Sequence, residues 1–322
     1  MYNKNCKKRI TFSATGTVNN MNSIFDPLFS FASEETFSDK PCLIDPVYTY
    51  TYPETVERVR ALAAYLQDRG YPAGTTIMIR CTQDSIYILT VLAVQLAGYI
   101  SVPLEKAASR QRILDILDET KARFFIGASD PELNDVEYIN IQEVNRIPPV
   151  SADRVFSLPQ REDIAEILFS TGTTGKPKGI VMTHGANAAN AENVIYGVGM
   201  KTDNRELIPM PLSHSHGLRR VYANLCNGST AVIINGVTKI KQMFDMIEEH
   251  RITSLDLAPS ILSIVLKLSK DRLRNYAEQL DYIQLGSAPL AENDKDRLLE
   301  LLPSTRLYNF YGSTESDRKS VV

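Results

Sequence analysis

Three glycines, four hydroxyl side chains and two lysines fall within the eleven residues Phe169-Ser170-Thr171-Gly172-Thr173-Thr174-Gly175-Lys176-Pro177-Lys178-Gly179. Backbone N–H groups, hydroxyl donors and ammonium charge gathered in one loop are what the oxygens of a polyphosphate require. The stretch follows the apolar run Ile164-Ala165-Glu166-Ile167-Leu168 and precedes Ile180-Val181-Met182. It therefore reads as a loop held between structured segments and not as a flexible Gly/Ser/Thr linker. The Walker loop of NTPases needs Gly-Lys-Ser/Thr from its sixth position onward. Counted from Gly172, the sixth position is Pro177, so that pattern fails.

Three further stretches carry chemistry. Pro211-Leu212-Ser213-His214-Ser215-His216-Gly217 holds two histidines two residues apart, without a cysteine or acidic residue beside them. That is a poor zinc site and a better polar wall or gate of a pocket. Gly286-Ser287-Ala288-Pro289-Leu290 is built of small residues that let backbone come close to a flat ligand such as a purine, although turns share this composition. Tyr308-Asn309-Phe310-Tyr311-Gly312-Ser313-Thr314-Glu315 offers an aromatic ring to stack a base, a hydroxyl for a phosphate oxygen and a carboxylate for Mg²⁺. A buried aromatic strand ending in a turn would have the same residues.

The elements that must position these groups alternate. A capping box at Thr51-Tyr52-Pro53-Glu54 opens a helix whose apolar face is Val56, Val59, Leu62 and Leu66, closed by Gly70. Strand patterns over 76–80, 99–102 and 123–126 alternate with helical patterns over 85–96, stopped by Gly98, and 110–120. Beyond the glycine-rich loop, strands are expected at 206–208, 230–234, 254–257, 282–285 and 306–310, and helices near 186–195, 217–226, 239–250, 260–280 and 291–302. This βαβ rhythm predicts an α/β fold of two doubly wound lobes with mainly parallel sheets, ligands lying at the carboxyl ends of the strands. Residues 1–22 are expected to form a loose arm, 23–161 a first α/β subdomain and 162–322 a second that carries the nucleotide motifs. The proline-bearing segment 128–161 is expected to connect the two.

With 322 residues, a formal net charge of -3 and 43% hydrophobic residues, the chain has the composition of a globular protein. No basic surplus suits a nucleic-acid backbone. Cys6, Cys42, Cys81 and Cys226 lie far apart, without zinc or disulfide-framework spacing. They read as reduced thiols of a cytoplasmic chain, and no stretch approaches the roughly 18 apolar residues of a membrane span.

Ser170–Gly179 resembles the signature phosphate loop of the adenylate-forming enzymes: acyl- and aryl-CoA synthetases, peptide-synthetase adenylation domains and firefly luciferase. Tyr311-Gly312-Ser313-Thr314-Glu315 resembles that family's second signature, and Gly286–Leu290 its Gly-Gly-Ala-Pro-Leu element. Order and spacing match, and the resemblance covers nearly the whole chain from about residue 25. It implies that Ser170, Thr171, Gly172, Thr173, Thr174, Gly175 and Lys178 bind ATP phosphates, and that Tyr311 stacks on adenine beside Gly286, Ser287 and Ala288. It implies that Thr314 contacts the α-phosphate, that Glu315 holds Mg²⁺ and that His214 lies near the reacting carboxylate. The acyl pocket would take in His214, His216, Asp256, Ser260 and Gly286. His216 departs from the family, whose members often carry an aromatic ring there.

The implied reaction joins a small carboxylic acid to AMP and passes the acyl group to a thiol, either of CoA or of the phosphopantetheine of an acyl carrier protein. In this family a strand-rich subdomain and a mobile C-terminal domain, which carries a catalytic lysine, follow the second signature. Ending at Val322, the chain is expected to be the N-terminal nucleotide- and acid-binding part of such a ligase, truncated before those pieces. The alternative is a non-catalytic nucleotide- or acyl-binding module.

Overall fold

The computed structural model describes residues 21–170, 178–237, 239–311 and 319–321. The expected arm therefore lies almost wholly outside the described residues. Helix α1 (Phe25–Ser33) leads into a short hairpin, β1 (Pro41–Ile44) and β2 (Thr49–Thr51), none of which the alternation pattern had marked. Helix α2 (Tyr52–Gln67) opens on the expected capping box: the Thr51 backbone N–H donates to Glu54 Oε2 at 2.8 Å while Thr51 Oγ1 accepts from the Glu54 N–H. Its residues Val59, Leu62 and Leu66 are fully buried.

The chain continues as β3 (Thr76–Arg80), α3 (Ser85–Leu96), β4 (Ile100–Leu104), α4 (Arg110–Thr120), β5 (Phe124–Gly127) and β6 (Glu137–Asn140). Then come β7 (Ile164–Ser170), β8 (Lys178–Thr183), α5 (His184–Val198), β9 (Arg205–Ile208), α6 (Ser215–Asn227) and β10 (Thr230–Ile233). The last are α7 (Ile240–Glu249), β11 (Ser254–Leu257), α8 (Pro259–Ser269), β12 (Tyr282–Gly286), α9 (Glu292–Leu301), β13 (Arg306–Tyr311) and β14 (Lys319–Val321). The helix expected over 260–280 is interrupted: α8 ends at Ser269, Lys270 turns with φ +51°, and Arg272–Tyr276 forms a separate 3₁₀ turn. Helical periodicity across that break does not register a single residue that leaves the α region.

Among the described residues the strands form two sheets, ordered β6-β5-β3-β4-β7-β8 and β14-β13-β12-β11-β9-β10-β1-β2. Pairing is parallel except for β7/β8, β1/β2 and β13/β14. Sheet membership does not follow the boundary expected between residues 161 and 162. β1 and β2 join the second sheet through β10, and β7 and β8 complete the first through β4.

The layers follow from which way each strand's alternate residues point. Tyr282 of β12 faces a core shared with Ile79 of β3, Phe124 of β5 and helices α1, α2, α3, α5 and α6, whereas Ile283 and Leu285 face α7, α8 and α9 on the other side. Helix α4 covers the outer face of the first sheet with Ile113 and Ile116. The two sheets thus enclose a common helical layer, which explains why every residue of α3 is buried.

Candidate functional site

The parallel strands β9, β11, β12 and β13 are neighbours in the second sheet, so their carboxyl ends form one continuous edge. That edge carries three of the sequence motifs and one further candidate residue: His214 and His216 after β9, Ser260 after β11, Gly286-Ser287-Ala288 at the end of β12, and Tyr311 as the last residue of β13. Crevices at such strand ends are where open α/β sheets hold ligands.

Helix α6 is the part that organises the edge. His214 is its exposed N-cap residue. Gly217 lies in its first turn, where a Cβ would meet the Pro211 carbonyl oxygen at 2.6 Å, so only glycine lets the outgoing chain of β9 lie against the helix. His216, Arg220 and Asn224, four residues apart, share one helix face and meet the polar residues on the inner face of the sheet. His216 is 4% exposed; its Nε2 lies 2.8 Å from Asp256 Oδ1 on β11, and its Nδ1 2.8 Å from Ser287 Oγ after β12. An added Cβ at Gly286 would sit 2.9 Å from His216 Cε1, so the close approach there is made by the imidazole ring. Ser287 follows with φ +75°, a left-handed conformation uncommon for a residue with a side chain, and is exposed.

Below this pair lies a fully buried polar layer. Gln284 Nε2 donates to Asp256 Oδ1 at 3.1 Å, and its Oε1 accepts from Arg220 Nη1. Arg220 also pairs with Glu206 of β9 through Nε at 3.1 Å and through Nη2. Burial would by itself lower the Arg220 pKa, but the Glu206 carboxylate overrides it and holds the guanidinium above its ordinary value. Burial pushes the Glu206 carboxyl up, with Arg220 opposing. Asn224 Nδ2 donates to Glu206 at 2.6 Å, and Asn204 and Tyr282 extend the network. A charged pair without solvent stays stable only when hydrogen-bonded on all sides, as here.

The opposite side of α6 reaches the other sheet. Arg219 Nη2 lies 2.5 Å from Glu166 Oε1 on β7, and Tyr222 OH donates to Glu166 Oε2 at 3.2 Å, all three residues being buried. β7 is the strand that enters the glycine-rich loop, and Ser170 and Lys178 face each other in the β7/β8 pair at the loop's two ends. One helix therefore ties the strand that leads to the loop to the four-strand edge.

The loop residues Thr171, Gly172, Thr173, Thr174 and Gly175, with Thr314 and Glu315 of the second signature, lie outside the described residues. Lys178 opens β8 and is exposed; Ser260 is exposed in the first turn of α8. Asp256 and Gly286 meet at His216. Sequence reasoning missed Gln284, Arg220, Glu206 and the α6–Glu166 tie. The four-residue spacing of His216, Arg220 and Asn224 in the helix was the available signal.

Two parallel-dominated sheets around a shared helical layer, with the antiparallel β7/β8 pair on one and a four-strand carboxyl edge on the other, define a two-sheet α/β domain. Residues 31–317 match the model for the family described as AMP-binding enzyme, and the chain belongs to that family. It is 27% identical over 317 residues to 4-coumarate--CoA ligase 3 of Arabidopsis thaliana, an alignment that takes in 90% of this chain and 56% of that protein. It is 25% identical over 316 residues to the PKS-NRPS hybrid synthetase acdB of Aspergillus candidus, covering 95% of this chain and 12% of the relative. The fold matches the Klebsiella oxytoca NpsA N-terminal subdomain, solved in complex with 3-hydroxybenzoyl-AMSN, with a TM-score of 0.80 at 19% identity over 94% of this chain and 76% of that one. The chain thus spans a little over half the length of the CoA ligase it resembles.

Proposed function

We propose that this chain binds ATP and a small carboxylic acid and forms the acyl-adenylate, the acyl group then passing to the thiol of CoA or of a carrier-protein phosphopantetheine. The observation that carries this reading is the single edge at which the ends of β9, β11, β12 and β13 gather His214, His216, Gly286–Ala288 and Tyr311, in a chain of the AMP-binding family. The loop residues 170–178 would neutralise the β- and γ-phosphates. Thr314 would hold the α-phosphate, and Glu315, a hard oxygen donor of the kind Mg²⁺ prefers, would hold the metal. Mg²⁺ supplies charge neutralisation on the phosphates; orientation of the acid falls to His214 and the pocket formed by His216, Asp256, Ser260 and Gly286. The relatives' names favour an aryl acid. Three thiols, Cys42, Cys81 and Cys226, are free and buried, in keeping with a cytoplasmic setting, and among the described residues no helix is long and apolar enough to cross a membrane.

The test is carboxylate-dependent ATP–pyrophosphate exchange over a panel of aryl, fatty and amino acids. Exchange that depends on one acid class supports adenylation and names the class. A second reading, a nucleotide- or acyl-binding module, has its own support in the resemblance to an N-terminal subdomain solved alone with an adenylate analogue. Saturable binding of an acyl-adenylate analogue without exchange would favour it.

A further inference from the structure

Ser287, His216 and Asp256 come from three different elements and stand in the order hydroxyl, imidazole, carboxylate, with 2.8 Å at each junction. The direction of the hydrogens follows from chemistry. Arg220 has only donors, so the Gln284 atom it touches is the amide oxygen, and the Gln284 NH₂ must then face Asp256. Asp256 Oδ1 is therefore an acceptor. His216 donates to it from Nε2, and the neutral ring keeps its lone pair on Nδ1, facing Ser287 Oγ. Ser287 must donate its hydroxyl proton to that lone pair.

The rest of the geometry suits a nucleophile better than a structural hydrogen bond. Ser287 is exposed while its base is buried, and it sits at the turn that ends a parallel strand in a left-handed conformation. Strained residues of this kind concentrate at functional sites. Contact with Gly286 pins the imidazole edge. Asp256 is fully buried, and its Oδ2 has no hydrogen-bond partner among the described residues, which leaves the carboxylate free to stabilise an imidazolium.

We propose that Ser287, His216 and Asp256 form an acyl-transfer relay that hydrolyses small activated acyl esters, an activity chemically distinct from adenylation that needs no ATP, at residues the function proposed above also places at its ligand edge and acid pocket. Ser287 Oγ attacks the acyl carbon and gives its proton to His216 Nδ1. The bond from carbon to the leaving oxygen breaks, and His216 returns the proton to that oxygen. Water then attacks the acyl–serine ester and gives a proton to Nδ1. The acyl–Oγ bond breaks, Oγ recovers a proton, and the carboxylic acid is released. Ser287 and His216 touch the reacting atoms; Asp256 is a positioning residue.

The test is labelling of the 322-residue chain with a fluorophosphonate, followed by mass mapping, alongside release of p-nitrophenol from p-nitrophenyl butyrate. The expected result is one adduct per chain on Ser287, lost in Ser287→Ala and slowed on the order of 100-fold or more in His216→Asn, the range of general-base contributions. Ser287→Ala takes one hydrogen bond from the buried His216 ring and should melt somewhat below the wild type while remaining folded under assay conditions, which separates loss of the nucleophile from loss of the fold. In Asp256→Asn, the pH midpoint of residual labelling should move down, since the ring loses the carboxylate that stabilises its cation. An unlabelled wild type, an adduct elsewhere, or ester turnover unchanged in Ser287→Ala would overturn the relay. An unmoved midpoint in Asp256→Asn would remove Asp256 from it.

Discussion

Replacing Arg220 by methionine keeps roughly the length of the side chain but removes the charged partner of Glu206. In the wild type that carboxylate accepts from Arg220 Nε and Nη2, from Asn224 Nδ2 at 2.6 Å and from Tyr282 OH at 3.3 Å, with no solvent exposure. In Arg220→Met only the two neutral donors remain, and breaking one side of a buried pair costs about 3–5 kcal/mol. Gln284 Oε1 also loses its donor, for a further penalty of about 1–3 kcal/mol. The expected outcome is a large downward shift in the urea midpoint at pH 7. The double variant Arg220→Met/Glu206→Leu should be the more stable of the two, since it buries no lone charge and the partners lost by Gln284, Asn224 and Tyr282 are all neutral groups. A pH series adds a check with a fixed sign. The lone Glu206 carboxyl titrates above its unfolded value, so the native state binds the proton first and the deficit should shrink as the pH falls from 7 toward 5. A single variant that loses less than about 1 kcal/mol, or a double variant no more stable than the single, would refute the assignment of the pair as a closed buried unit.

Burial holds the His184 ring down at about 4, with Asp163 opposing weakly, so the unfolded chain takes up the proton first as the pH drops. Stability present above pH 6.5 should be lost toward pH 4, about 2 kcal/mol of it between pH 7 and 5, and a urea series on His184→Gln should lack that slope. Gly286→Ala pushes a Cβ onto the His216 ring and should cost about 1–3 kcal/mol by overpacking; a melt identical to wild type would mean the ring is not confined there. Lys178→Ala should weaken pyrophosphate binding roughly 10- to 100-fold, the worth of a charge-assisted contact, and AMP binding far less. Equal losses in calorimetry would detach Lys178 from the β- and γ-phosphates. Glu315→Gln should raise the Mg²⁺ concentration needed for half-maximal exchange, and an unchanged titration would remove it as a metal ligand.

Local signals in the chain were enough for several of these elements. The Thr51–Glu54 capping box, the Gly98 stop after α3 and the apolar runs flanking the glycine-rich loop depend on residues within a few positions of one another, and backbone conformation responds to that range. Motif order placed His214, His216, Gly286–Ala288 and Tyr311 at strand ends, because parallel βαβ units send every strand in one direction. Which strands become neighbours is a different matter. β1 and β2 join the second sheet through β10, and β7 and β8 close the first, by contacts that span more than a hundred residues in the first case.

The polar interior shows the same division. His216, Arg220 and Asn224 reveal through their spacing that α6 has a polar face, but nothing near them names what that face meets. Asp256, Gln284 and Glu206 lie on three separate strands, and the register that sets Asp256 beside Gln284 and Ser254 beside both Tyr282 and Glu206 brings them under the helix. Sequence alone determined the kinds of groups this protein offers and the strand ends that present them, since composition and periodicity are local. Tertiary structure alone decided that His216 sits between Ser287 and Asp256, because a hydrogen bond is chosen by distance in space, and strand register sets that distance.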